Sequence, residues 1–139
     1  MKTSQNGLNL IEQSEDWEPQ IYLDATRCPT IGYGHLIKPN EQFPPGGITL
    51  EQGQELLAAD VAIAEAPVNE LAPQANQNQF DALVDFTFNL GAPALKTMLA
   101  HGWDQVPAQI PRWNQAGGHV LAGLVARRAI EAALFLTPV

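Results

Sequence analysis

Three polar residues near the start of the chain are the best candidates for chemistry, and the first is Glu15. It falls on the apolar stripe that Leu8 and Ile11 set along a short predicted helix, so its carboxyl group should face inward near the helix end. Partial removal from water favours the protonated form of a carboxyl group, which suits it to act as a general acid. The alternative is that the helix has frayed at this point and that Glu15 points into solvent.

Asp24 and Thr30 follow within residues 20–37, where alternating apolar residues and turn signals predict a small sheet or hairpin. Because side chains alternate along a strand, one face would carry Thr30, Gly32, Gly34 and Leu36. The two glycines would either leave that face open to a ligand or another backbone, or only relieve strand twist.

A glutamate and an aspartate on either side of a cleft form the minimal set for cleaving a glycosidic bond. One carboxyl group protonates the leaving oxygen, and the other activates a water molecule or attacks directly. Glu15 and Asp24 are candidates for such a pair, and Thr30 would present its hydroxyl on the open face. Two carboxylates this close in sequence are common by chance, so their spacing alone does not establish the activity.

Helices are predicted for most of the chain beyond the proline- and glycine-rich loop at residues 38–48. Thr49 fits the start of a capping box for a helix that runs to Pro67. Further helices are predicted at residues 77–90 and from about 121 to 136. The fold class is therefore α+β, with the strands confined to one early section and a cleft between a small β lobe and a larger helical lobe.

The composition limits the classes of protein to which the chain can belong. With 139 residues, 45% of them apolar, it has the size and hydrophobicity of one folded domain. A net charge of −8 argues against nucleic-acid binding, which needs a basic surface. The single cysteine, Cys28, excludes an internal disulfide, and we expect it to be buried and inert. The chain shows no apolar run of transmembrane length and no secretory signal, so we expect synthesis in the cytoplasm without a signal peptide and no stable membrane association.

The order of these residues resembles that of the phage-type lysozymes (endolysins, glycoside hydrolase family 24). The resemblance begins with Glu15, Asp24 and Thr30, followed by Ile-Gly-Tyr-Gly-His at residues 31–35. Later segments look like the family's central helix and C-terminal signature: Gln-Asn-Gln-Phe-Asp-Ala-Leu from Gln77, Phe-Asn-Leu-Gly from Phe88, Arg-Trp-Asn from Arg112, Ala-Gly-Gly from Ala116, Gly-Leu-Val from Gly123, and Arg127-Arg128. Several motifs in the same order cover nearly the whole chain, which makes the resemblance specific.

The resemblance implies a single lysozyme-like domain with two lobes. The β lobe would span about residues 16–48, and a linking helix would span about residues 49–66. The helical lobe would comprise about residues 67–139 together with the N-terminal helix. The cleft between the lobes would hold the substrate.

The implied activity is that of a muramidase, which hydrolyses the β-1,4 bond between N-acetylmuramic acid and N-acetylglucosamine in bacterial peptidoglycan. Carried over by position, Glu15 would be the general acid, Asp24 the base or electrostatic stabiliser, and Thr30 the residue that holds the attacking water. Family members of this spacing are generally thought to invert the anomeric centre. No metal and no organic cofactor is implied. The substrate-binding positions would be Leu36, Phe88 and Thr97.

The resemblance also implies partners. The chain would act as a monomer on the peptidoglycan of the bacterial cell wall, and a phage endolysin would need a membrane-permeabilising holin to reach it. The alternatives are a non-catalytic peptidoglycan-binding module on the same fold, a protein-interaction domain with an acidic surface, and a lytic transglycosylase, which would leave anhydro-sugar ends. The complete set of Glu15, Asp24 and Thr30 favours the hydrolase over a binding module, because a binder does not need all three.

Several residues near the predicted cleft have roles that the sequence leaves open. Asp16 stands where the family usually has glycine, at a left-handed helix end that aspartate tolerates less well. We expect His35 to be structural and paired with an acidic residue. Trp17 is either a packing residue or part of the cleft rim. Of Arg127 and Arg128, one is expected to pair with a cleft carboxylate and the other to be solvated.

Overall fold

The computed structural model describes all 139 residues and confirms the α+β fold class. The helices are α1 Gln5–Glu15, α2 Leu50–Leu71, α3 Gln77–Leu90, α4 Ala92–Leu99, α5 Val106–Gln109 and α6 Ala122–Leu136. The strands are β1 Glu18–Leu23, β2 Pro29–Gly32, β3 His35–Leu36, β4 Gln115–Ala116 and β5 His119–Val120. None of the helices combines the length and the apolar character that crossing a membrane requires.

Helix α1 places Glu15 at its C-terminal end. Ser4 caps the start of the helix by accepting a hydrogen bond from the Gly7 N–H at 3.3 Å, and Ile11 anchors its inner face in the core. The helix stops after Glu15 because Asp16 has φ 57° and ψ 167°, a combination outside the helical region. Asp16 thus has a positive φ, which glycine would adopt with less strain.

The β lobe contains a three-stranded antiparallel sheet in the order β1–β2–β3. Strands β2 and β3 form a hairpin in which Thr30 lies opposite Leu36. These two side chains therefore share a face, but they do so across two strands. The expectation of one alternating strand is wrong, because Gly32 and Gly34 adopt φ values of 69° and 71° and turn the chain back on itself.

Helix α2 links the β lobe to the helical core. Thr49 caps it through the predicted capping box, which is confirmed. The helix continues beyond residue 66, the predicted end, to Leu71, with Pro67 in its interior. A proline in a helix costs about 3 kcal/mol. The helix continues because Val68, directly after the proline, is completely buried in the core and the Ala72 N–H still bonds the Val68 carbonyl at 2.8 Å.

The hydrophobic core is built around α3, whose predicted bounds are confirmed. Helices α1, α2, α4 and α6 all pack against it. Its completely or almost completely buried apolar side chains are Phe80, Ala82, Leu83, Val84 and Phe86. Two acidic residues of the same helix, Asp81 and Asp85, are also fully buried, so each needs a polar partner inside the protein.

A second, two-stranded hairpin, formed by β4 and β5, precedes α6. The prediction that strands are confined to the early section is therefore wrong. The turn consists of Gly117 and Gly118, with φ values of 58° and 80°. Positive φ at both central residues defines the tight hairpin turn that glycine pairs favour, and this signal was present in the sequence.

Candidate active site

Glu15 lies between the two lobes. Its Oε1 accepts a hydrogen bond from Nη1 of Arg127 in α6 at 2.6 Å, and its Oε2 lies against Gly34 in the β2–β3 turn. The Glu15 side chain is 19% exposed. The inward orientation predicted for this residue is thus confirmed, and one carboxyl oxygen remains free of protein hydrogen bonds.

Arg127 joins Glu15 to the centre of the core. Its Nε and Nη2 donate to Oδ2 and Oδ1 of Asp85 at 3.0 and 2.9 Å. Burial alone would lower the pKa of Arg127, but the hydrogen bonds and charges of Asp85 and Glu15 outweigh burial and raise it. Arg127 is therefore the arginine that pairs with a cleft carboxylate. The expectation that Arg128 is solvated is wrong, because its side chain is completely buried.

Asp24 is held ionised by the turn that follows β1. Its Oδ1 accepts three hydrogen bonds, from the Thr26 N–H at 2.8 Å, the Thr26 hydroxyl at 2.7 Å and the Cys28 N–H at 2.8 Å. The Cys28 and Thr26 hydrogen bonds lower the pKa of Asp24. Since all three bonds go to Oδ1, Oδ2 is available to a ligand or to water.

Thr30 is buried in β2, so the expectation that its hydroxyl lies on an open face is wrong. The residue is connected to Asp24 through Cys28. The Thr30 hydroxyl donates to the Cys28 carbonyl at 2.8 Å, so its oxygen can still accept a hydrogen bond, for example from water. Cys28 thus holds Asp24 through its N–H and Thr30 through its carbonyl. The thiol itself is exposed, which contradicts the expectation of a buried cysteine, because the turn uses the backbone of Cys28 and directs its side chain outward.

Tyr22 is a residue of the site that the sequence analysis did not identify. It lies opposite Thr30 in the β1–β2 pair. Burial raises the pKa of its phenol, and the negative charges of Glu15 and Asp24, followed by those of Glu18 and Asp16, raise it further. A neutral hydroxyl therefore lies within the field of both candidate catalytic carboxylates. The alternation of side chains along β1 could have identified Tyr22 from the sequence. It places Tyr22 on the strand face opposite the exposed Ile21 and Leu23.

A cleft of about 330 Å³ opens between the β2–β3 hairpin and helices α2 and α3. Gly34, Leu36 and Phe88 line it, so the structure brings two of the three predicted substrate-binding residues together next to the Glu15 carboxylate. Thr97 is not part of this lining; it is exposed on α4, and its hydroxyl donates to the Pro93 carbonyl at 3.0 Å. No group of three or more His, Cys, Asp or Glu side chains is arranged to bind a metal ion.

His35 joins the β lobe to the linking helix. Its Nδ1 lies 2.7 Å from Oδ2 of Asp60 in α2, and its Nε2 lies 3.0 Å from Oε1 of Glu41. The predicted pairing with an acidic residue is confirmed. Burial opposes the charged ring, but the hydrogen bonds to Asp60 and Glu41 outweigh it and raise the pKa of His35.

Trp17 is a packing residue. Its indole lies against the Cα of Gly53 in α2 and contacts the Tyr33 ring, with 5.0 Å between the ring centroids. Any side chain at Gly53 would overlap the indole. The start of β1 is therefore fixed to α2, immediately after the helix end that carries Glu15.

Comparison with known proteins is consistent with this geometry. The family model for phage lysozyme matches residues 12–131. The endolysin of Bacillus phage PZA is 40% identical over 97% of this chain, and that of Salmonella phage P22 is 32% identical over 99% of both chains. The chain therefore belongs to the phage lysozyme family. It spans only 55% of the length of the Bacillus phage PZA relative.

Solved structures confirm the lysozyme-like fold. The muramidase domain of SpmX from Asticaccaulis excentricus superimposes with a TM-score of 0.82 at 34% identity and 99% coverage of each chain. The endolysin from Escherichia coli O157:H7 phage FAHEc1 gives the same TM-score and identity, covering 98% of this chain and 94% of the other.

Proposed function

We propose that this chain is a muramidase that hydrolyses the β-1,4 bonds between N-acetylmuramic acid and N-acetylglucosamine in peptidoglycan. The observation that carries the proposal is the arrangement of Glu15, whose Oε1 is bound by Arg127 while Oε2 faces the turn that lines the cleft. Asp24, held ionised on the β lobe, supplies the second carboxylate. Membership in the phage lysozyme family supports the glycosidase class.

In this proposal Glu15 is the general acid and its Oε2 protonates the glycosidic oxygen. Thr30 accepts a hydrogen bond from a water molecule, and Asp24 takes a proton from that water as it attacks the anomeric carbon. Attack from the face opposite the leaving group inverts the anomeric centre. Arg127 stabilises the carboxylate that remains on Glu15, because its guanidinium already contacts Oε1.

The proposal extends to how the domain reaches its substrate. Leu36 and Phe88 contact the sugars in the cleft, and the chain acts on the cell wall as a monomer after synthesis in the cytoplasm, with a holin providing access. The net charge of −8 slows association with an anionic envelope at low salt. Screening by moderate salt should therefore speed the reaction.

The second candidate is a non-catalytic peptidoglycan-binding module on the same fold. The exposed Leu36 beside Phe88 would serve sugar binding in either case. The two functions differ in whether the glycan is cut. A binding module would retain peptidoglycan without creating new chain ends, whatever residue stands at position 15.

The experiment compares the parent chain with Glu15→Gln and Asp24→Asn on purified peptidoglycan. Glu12→Gln, the same substitution one turn earlier in α1, is the matched control. We expect Glu15→Gln and Asp24→Asn to lose roughly 10²-fold or more in rate, the range typical of acid–base residues, and Glu12→Gln to match the parent. Mass spectrometry then separates new reducing ends, expected for hydrolysis, from anhydro ends. Equal clearing by the parent and Glu15→Gln would remove the catalytic assignment.

A further inference from the structure

A buried polar network continues behind the Glu15–Arg127 pair. Arg127 donates three hydrogen bonds, two to Asp85 and one to Glu15. The two bonds to Asp85 fix the plane of the guanidinium, because a bidentate arginine–carboxylate pair has one preferred geometry. The remaining nitrogen of the guanidinium, Nη1, is thereby directed at Oε1 of Glu15.

The network ends at a second acidic residue, Glu131 of α6. Both carboxyl oxygens of Glu131 face Arg128: Oε2 accepts a hydrogen bond from Nη2 at 2.8 Å, and Oε1 lies 2.7 Å from Nε. Asp85, Arg128 and Glu131 are all completely buried. Helix α6 can build this arrangement because residues three and four apart lie on the same helix face, which brings Arg127 and Arg128 together with Glu131.

The network contains more carboxyl groups than guanidinium groups. Arg127 and Arg128 face the carboxyl groups of Glu15, Asp85 and Glu131. Burial and the neighbouring Asp85 raise the pKa of Glu131 to about 10, whereas the pKa of Asp85 stays low despite burial. Asp85 is therefore the ionised partner of Arg127.

We propose that Asp85 is a positioning residue: it orients Arg127 so that the guanidinium binds only Oε1 of Glu15 and leaves Oε2 free to transfer a proton. Asp85 also divides the charge of Arg127 between two carboxylates. Without Asp85, the guanidinium is free to bind both oxygens of Glu15, which leaves neither oxygen available to carry the proton that is transferred. The inference rests on the proposed role of Glu15.

The test is the pH dependence of kcat and KM on soluble peptidoglycan fragments for the parent and for Asp85→Asn. We expect kcat to fall about tenfold or more, KM to stay within about twofold, and the alkaline limb of the kcat profile to move down by about one pH unit, the low end of the effect of a nearby opposite charge. Asp81→Asn is the matched control. Asp81 is equally buried one turn earlier in α3, but it bonds Ser4 and Gln77.

The outcomes separate positioning from general stability. A shift of the alkaline limb in Asp85→Asn with no shift in Asp81→Asn supports the proposal, whatever either change does to folding stability. Equal shifts in both, or an unchanged profile in Asp85→Asn, would overturn it. If Glu15→Gln matched the parent in rate, the proposed function would fail; if Glu15→Gln is inactive but the Asp85→Asn profile is unchanged, only the positioning role fails.

A measurement on the parent alone keeps the proposal testable if these variants fail to fold. NMR of the guanidinium groups should show separate, slowly exchanging N–H signals for Arg127, as expected for a fixed side chain. The exposed Arg27 should show averaged signals. Averaged signals for Arg127 would contradict a fixed orientation.

Discussion

Oε2 of Glu15 lies so close to Gly34 that a Cβ atom at position 34 would clash with it. The contact joins the end of α1 to the β2–β3 turn, so the position of the candidate acid depends on a residue that contributes no side chain. Gly34 also adopts φ 71°, which a residue with a Cβ atom rarely adopts. Space and backbone conformation therefore both favour glycine here.

Gly34→Ala is expected to reduce hydrolysis by roughly 10²-fold, because a displacement of a catalytic group by about 1 Å can cost that much. It should also lower the free energy of unfolding by about 1–3 kcal/mol through overpacking. Gly46→Ala is the control, since a Cβ atom at Gly46 meets nothing within 4 Å. Activity of Gly34→Ala close to that of Gly46→Ala would contradict the requirement for glycine.

Asp16→Gly is expected to stabilise the protein. The φ and ψ of Asp16, 57° and 167°, belong to a region used almost only by glycine, where strain costs roughly 1–3 kcal/mol. This relief exceeds the entropy that glycine loses on folding, about 0.5–1 kcal/mol. Denaturant unfolding should show the gain for Asp16→Gly but not for Asp16→Ala, which removes the charge and keeps the strain. A gain in both variants would point to the charge instead.

Gly53→Ala should destabilise the protein although alanine is the better helix former. The helix gains about 1 kcal/mol from the substitution, but overlap with the Trp17 indole costs about 1–3 kcal/mol. Thermal unfolding of Gly53→Ala and of the double variant Gly53→Ala/Trp17→Leu distinguishes the two contributions. In the double variant the added methyl group should no longer be unfavourable relative to Trp17→Leu alone.

The His35 pairs should make stability depend on pH. Because the pKa of His35 is raised in the folded protein, its pairs with Asp60 and Glu41 stabilise the fold fully below about pH 6.5, the ordinary pKa of histidine. That stabilisation disappears as the pH rises through the folded-state pKa. The free energy of unfolding of His35→Gln should approach that of the parent above this range and differ most below it. The exposed His101, which forms no salt bridge, provides the control variant His101→Gln.

Glu41 acts in the opposite direction at acidic pH. The Lys38 N–H, followed by His35, lowers the pKa of Glu41 below its usual value of 4.5, so its stabilisation is present above that pH and is lost as the pH falls through the lowered pKa. Stability from this cluster should therefore be greatest between the two ranges. An unfolding free energy that falls equally in the parent and in Glu41→Gln as the pH drops below 4.5 would contradict the assignment.

The sequence predicted those helix starts, helix spans and side-chain orientations that depend on neighbouring residues in the chain. The capping box at Thr49, the apolar spacing of α3 and the inward stripe that ends at Glu15 each depend on neighbours within about a turn of helix. The three candidate catalytic residues could be named because their spacing matched a known family. Helix α2 passed its predicted end because Val68, the residue after Pro67, is buried in a core built from residues distant in sequence, and that burial outweighs the local effect of the proline.

The polar network behind Glu15 depends on contacts between residues far apart in sequence. Asp85 and Arg127 are separated by 42 positions, and Glu15 and Arg127 by 112. A signal was nevertheless present, because Asp85 lies between Val84 and Phe86 in a helix that is buried on nearly all sides. A carboxylate in that environment needs a cation, and the adjacent arginines of α6 were the available ones.

Pro67 marks the place in the linking helix α2 where bending costs least, and it lies in the wall of the cleft. The carbonyl of Ile63 lacks the N–H partner that position 67 would normally provide, and Ile63, Ala64 and Pro67 all line the cleft. Helix α2 is about 33 Å long, at 1.5 Å per residue, and it carries the β lobe at one end and the core at the other. Bending costs least where that hydrogen bond is missing, so the width of the cleft depends on the curvature of one helix at one residue.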